Sequence, residues 1–108
     1  MFFHYSQNNS GGSFTGDYHH VIIEAICAEV ADVIAESQTD IYFDGCSKEI
    51  DCDCCGDRWS RTWSDGVDEP MIFGSPAKDY SDTMFGGGVL ILYADGTRWE
   101  KKDPPPLS

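Results

Sequence analysis

The first apolar positions of the chain alternate. In residues 2–7 (FFHYSQ), Phe3 and Tyr5 fall on one face of an extended chain, and Phe2, His4 and Ser6 on the other. That period of two predicts a strand. Asn8, Asn9, Ser10, Gly11, Gly12 and Ser13 follow, short polar and glycine positions that favour a loop and can also wrap a polar ligand. Val21, Ile22 and Ile23 lose rotamer freedom in a helix, so a second strand is predicted over His19 to about Ala25. Ile22, Ile26, Val30 and Val33 also share a helical stripe, which makes one helix over 21–37 the competing reading. The strand reading leaves a helix from about Cys27 to Ser37. Val30, Val33 and Ile34 would be its buried stripe and Glu29, Asp32 and Glu36 its wet face, with no good N-cap residue at the start.

Ile41 to Gly45 (IYFDG) predicts a short strand with Ile41 and Phe43 inward, delivering the chain to Cys46. Residues 64–88 are rich in turn formers and predict a long irregular excursion, interrupted by a strand at Met71, Ile72 and Phe73. Excursions of that length in a compact domain are usually functional or mobile. Residues 89–93 and 97–100 flank Asp95-Gly96, a two-residue hairpin signal. Ala94 opposite Thr97 then sets Leu92 across from Trp99 and Tyr93 across from Arg98. Leu90, Leu92 and Trp99 form the core face, while Ile91 and Tyr93 share the other face with charge. The proline-rich tail, 103–108, is expected to be extended and poorly ordered. No internal repeat is visible. The sum is a single α+β domain over 1–102: one mostly antiparallel sheet (β-β-α-β, then a C-terminal β-hairpin) with one helix packed on one face.

Composition narrows the partners. A chain of 108 residues suits one domain with a modest core. Its 19 acidic and 7 basic side chains give a net charge of −12. Such a surface repels nucleic-acid phosphates and anionic lipid, so direct nucleic-acid or membrane binding is disfavoured. A basic protein surface and a small ligand in a local pocket remain, beside the plain alternative that the charge only keeps the protein dissolved. Met1-Phe2-Phe3 is no signal-peptide core, and no apolar run approaches the ~18 residues of a membrane helix. Five cysteines, an odd number, argue for reduced thiols in a cytoplasm.

Four of those cysteines lie between Cys46 and Trp63, with two tryptophans and two arginines. Cys52 to Gly56 has the C-x-x-C-G form of a zinc knuckle, and Cys46 is near enough to add a third thiolate. The fourth ligand of a tetrahedral structural zinc would be Cys54 or a histidine, His4, His19 or His20. The competing readings are thiols packed under aromatic rings and a redox pair; Asp51 and Asp53 oppose the latter by raising thiol pKa values. If the next residues are extended, Trp59, Arg61 and Trp63 share a face and Arg58 the other. Arginine beside tryptophan can stack a base and clamp a phosphate, or the same residues can plug the core and pair with carboxylates. No nucleophile elbow or calcium loop is present, and carboxylates are so many that any pair would be a coincidence, so no enzyme is expected.

The segments YSQNNSGGSF (5–14), VIIEA (21–25), IYFDG (41–45) and DCDCCGDRW (51–59) are similar to those of an uncharacterised family of small tailed-bacteriophage proteins. The resemblance covers about the first 65 residues. It implies a strand at 21–25 and expression in the cytoplasm of an infected bacterium, and it carries no known activity. Accessory phage proteins commonly disarm host defences or redirect host enzymes. On that analogy the leading expectation is a non-enzymatic protein that sequesters a small nucleotide-derived signal. Its pocket would comprise Ser6, Gln7, Asn8, Asn9, Ser10, Ser13, Arg58, Trp59 and Arg61, shared between copies of a homo-oligomer. The alternatives are an acidic, DNA-mimic-like blocker of a basic host-protein surface, and a small zinc-stabilised regulatory protein.

Overall fold

The computed structural model describes residues 1–7, 18–48, 56–62, 66–72, 75–79 and 88–101. Its elements run β1 (Phe2–Ser6), β2 (Tyr18–Glu24), α1 (Ala28–Gln38), β3 (Met71–Ile72), β4 (Ser75–Pro76), a 3-10 turn (Ala77–Asp79), β5 (Gly88–Leu92) and β6 (Arg98–Lys101). Four strands form one sheet in the order β1-β2-β5-β6, and β3 and β4 pair in a second, two-stranded sheet. The expected α+β architecture is therefore present, with one helix and a mostly antiparallel sheet. One central pair departs from it: β2 and β5 run parallel, Val21 beside Leu90 and Ile23 beside Leu92. The chain must cross over between them, and α1 lies on that crossover. A bulge at His19 adjusts the register.

Being central, β2 and β5 are buried on both faces, which explains why both read as apolar runs. On one face Phe3, Tyr5, Val21, Ile23, Leu90 and Leu92 pack with Ala31 and Ala35 of α1 and with Ile41, Phe43 and Trp59. On the other, Ile22, Val89 and Ile91 pack under Ile72 and Ala77, with Phe2, Tyr93 and Trp99 at the margin. Residues 66–72 and 75–79 thus cover the second face, and Val67 also caps the sheet edge through a two-bond bridge to Phe2. The opposite edge, β6, is charged, which discourages edge-to-edge pairing.

Several local expectations are corrected. The helix buries Ala31 and Ala35, not Val30 and Val33, which are exposed; only Ile34 of the expected stripe packs against the core. Two small residues one turn apart let the helix sit close to the sheet, and periodicity weighted by large side chains points to the wrong face. Asp32 accepts a hydrogen bond from the Tyr5 hydroxyl at 2.6 Å, so it is not a plain wet-face residue. Residues 41–45 form no strand: Ile41 and Phe43 do point inward, but Asp44 adopts φ 60° and starts a turn closed by Lys48 N–H on its carbonyl. The hairpin register is one residue off the expected one, with Ile91 opposite Trp99 and Leu92 opposite Arg98. Tyr93 and Thr97 close a three-residue loop in which Gly96 takes φ +91°, so Trp99 moves to the other face, beside Ile91. The absent N-cap is as expected: Cys27 offers no side-chain capping bond. The proposed Phe73 end of β3, the glycines at 86–87 and the 103–108 tail lie outside the described residues.

Candidate functional site

The first half of the expected ligand loop ends in structure. Ser6 is the last β1 residue, exposed and opposite His20. Gln7 continues the pairing: its backbone N–H donates to the His19 carbonyl at 2.7 Å, and its side-chain Nε2 to the Tyr18 carbonyl at 3.0 Å. Asn8, Asn9, Ser10 and Ser13 lie outside the described residues. From the other segment, Arg58 Nη1 donates to Gln7 Oε1 at 3.0 Å, with both residues buried. The two stretches expected to meet therefore do meet at this pair.

The other two members sit differently. The Trp59 indole, 3% exposed, belongs to the same core cluster as Phe43 and Tyr5. Arg61 is at the surface, where its two terminal nitrogens grip both carboxylate oxygens of Asp44 at 2.9 and 2.7 Å. Its guanidinium lies 5.0 Å from the centre of the Phe43 ring. The bidentate pair holds the Asp44 carboxyl below its usual range and raises the Arg61 pKa. It also ties down the turn that Asp44 begins in the left-handed region. Trp59 and Arg61 share a hollow of about 170 Å³, below the ~300 Å³ at which small-molecule pockets usually begin.

For zinc, Cys52, Cys54 and Cys55 lie outside the described residues. The backbone N–H of Cys46 donates to Asp57 Oδ1 at 2.9 Å, which ties the two ends of the cysteine loop together. Among the described residues no three His, Cys, Asp or Glu side chains gather as a metal site. His4 and His20 instead hydrogen-bond each other, Nε2 to Nδ1 at 2.9 Å, with their rings stacked 5.1 Å apart. Burial pushes the His4 pKa down to about 4.

A larger hollow, about 660 Å³, opens between α1 and the 61–62 segment. Ile26 and Val33, 87% and 67% exposed, and the carboxylates of Glu29, Asp32 and Glu36 line it, with Arg61 on its wall. The helical periodicity places Val33 in the core instead. The signal available was the short run of acids on the same side of the helix, which suits a wet apolar face better than a buried one. Phosphate groups would meet three acids here, so this hollow is chemically opposite to a nucleotide pocket.

No described helix is long and apolar enough to cross a membrane. No curated protein and no solved structure matches the chain. Residues 1–102 match a family described as a domain of unknown function, DUF7296, and the chain belongs to that family.

Proposed function

We propose that this is a non-enzymatic accessory protein that occupies a basic surface of another protein. The observation that carries the reading is the engagement of all three arginines within the molecule. Arg58 bonds Gln7, Arg61 grips Asp44, and Arg98 pairs with Glu100 at 3.0 Å. A surface of net charge −12 whose guanidinium groups are already engaged attracts cations and offers phosphates little. The similarity to small tailed-phage proteins extends the proposal: the protein works in the cytoplasm of an infected bacterium, and its partner is a host protein whose basic face normally meets nucleic acid. Immobilised protein incubated with bacterial lysate tests this. A basic protein captured at low salt and released as salt rises supports it, and capture indifferent to salt opposes it.

A second reading, sequestration of a nucleotide-derived signal by a homo-oligomer, is favoured by one contact: Arg58 on Gln7 joins the arginine segment to the start of the Asn/Ser/Gly loop. It requires a rise in melting temperature with cyclic or ADP-ribose-type nucleotides that Arg58→Ala abolishes. A structural zinc on Cys46, Cys52, Cys54 and Cys55 is compatible with either reading, and metal analysis of the purified protein tests it.

A further inference from the structure

We infer that the exposed side of α1, with the hollow beside it, is where a basic amphipathic helix of the partner protein docks. The inference rests on the basic-surface reading and gives it a location. Ile26, just before the N-cap, and Val33, on the second turn of the helix, are the two most exposed large apolar residues among those described, and both open into the same 660 Å³ hollow. Val30 adds a third exposed apolar side chain on the same helix. Apolar side chains left in water at a concave site are what an incoming helix covers with its own apolar stripe.

Charge selects the occupant. Glu29, Asp32 and Glu36 line the hollow, and the one cation among its described lining residues, Arg61, is held bidentately by Asp44. Lysines and arginines flanking the partner's apolar stripe would meet those carboxylates at the rim, where charge contributes steering and selectivity. A second copy of this chain fits less well, because it would set the same acids against one another.

The test uses two synthetic peptides of one composition, Leu with Lys and Arg, one patterned as an amphipathic helix and one scrambled. Fluorescence anisotropy measures binding to the intact protein. The patterned peptide is expected to bind about tenfold more tightly than the scrambled one. Val33→Ser and Ile26→Ser, both at exposed positions, are each expected to remove most of that advantage, and Glu29→Gln with Glu36→Gln to lower its salt dependence. Equal binding of both peptides, unchanged in Val33→Ser, overturns the α1 site while leaving the basic-surface reading in place. Binding of neither peptide at low salt counts against both. Sedimentation as a dimer that Val33→Ser dissociates assigns the face to a second copy and overturns the inference.

Discussion

Arg58 and Gln7, 51 positions apart, join through their buried side chains: the guanidinium Nη1 donates to the amide Oε1 at 3.0 Å. Gln7 in turn extends the β1–β2 pairing through Tyr18 and His19. The bond therefore anchors the segment after the cysteine loop to the start of the sheet, next to the Trp59 indole in the core.

A buried charged donor on an amide oxygen should show as coupling. A double-mutant cycle of Arg58→Ala and Gln7→Ala, read by denaturant unfolding, is expected to give about 1–3 kcal/mol of interaction. Additive single effects would mean the contact is incidental.

The His4–His20 pair makes stability depend on pH. The folded-state pKa of His4, about 4, lies below its ordinary 6.5, so the unfolded chain takes up the proton first. The contribution is complete above pH 6.5 and is lost as pH falls through the window down to about 4. Two imidazolium rings also cannot keep the 2.9 Å N···N bond, since both nitrogens would be donors. Because the chain also carries 19 acidic side chains, the comparison is with His4→Gln. Wild type is expected to lose about 2 kcal/mol more than the variant between neutral pH and about pH 4.5. Parallel stability curves would remove His4 as the cause.

Two glycines with positive φ predict different costs. Gly96, at +91°, has nothing within 4 Å of an added Cβ, so Gly96→Ala should cost about 1 kcal/mol from the backbone alone. At Gly66, φ +82°, an added Cβ would lie 2.8 Å from Met1 Cβ and 3.0 Å from Phe3 Cζ. Gly66→Ala should cost about 2–4 kcal/mol, the backbone term plus overpacking against a core ring. Equal unfolding midpoints for the two variants would contradict the packing at that edge.

Tyr5 is held by ring and hydroxyl together. Burial first, then the bond to Asp32, raises its pKa, so its hydroxyl should stay protonated through the ordinary tyrosine range in an absorbance titration. Tyr5→Phe keeps the ring and removes the donor to Asp32, which also accepts the Thr62 N–H at 3.3 Å. A loss of about 1–3 kcal/mol is expected in unfolding measurements. No loss would mean that Asp32 re-pairs at no cost.

Much of this fold is legible where the signal is local. Alternation in residues 2–6 gives the two faces of β1 correctly, and the β-branched run at 21–23 marks a central strand. The misses share a cause: a non-local partner decided the outcome. Which strand lies beside β2 is not written in its own residues, so the parallel β5 neighbour was invisible. Asp95-Gly96 marks the hairpin, but whether the loop holds two residues or three depends on where Trp99 finds a core, and that moved the register by one. In α1, alanines bury at closer approach than valines can, which turned the apolar stripe outward. For the site, the meeting of Gln7 with Arg58 was legible as a juxtaposition of polar loop and arginine segment, and the burial of Trp59 follows the core-plug alternative, while the carboxylate clamp falls on Arg61 rather than Arg58.

The most direct test of the account is the salt dependence of partner capture from bacterial lysate, measured side by side for wild type and Arg58→Ala. The account predicts that the same basic protein is held by both at low salt and released from both as salt rises. Capture that persists at high salt, or that disappears in Arg58→Ala while the variant remains folded, would contradict it.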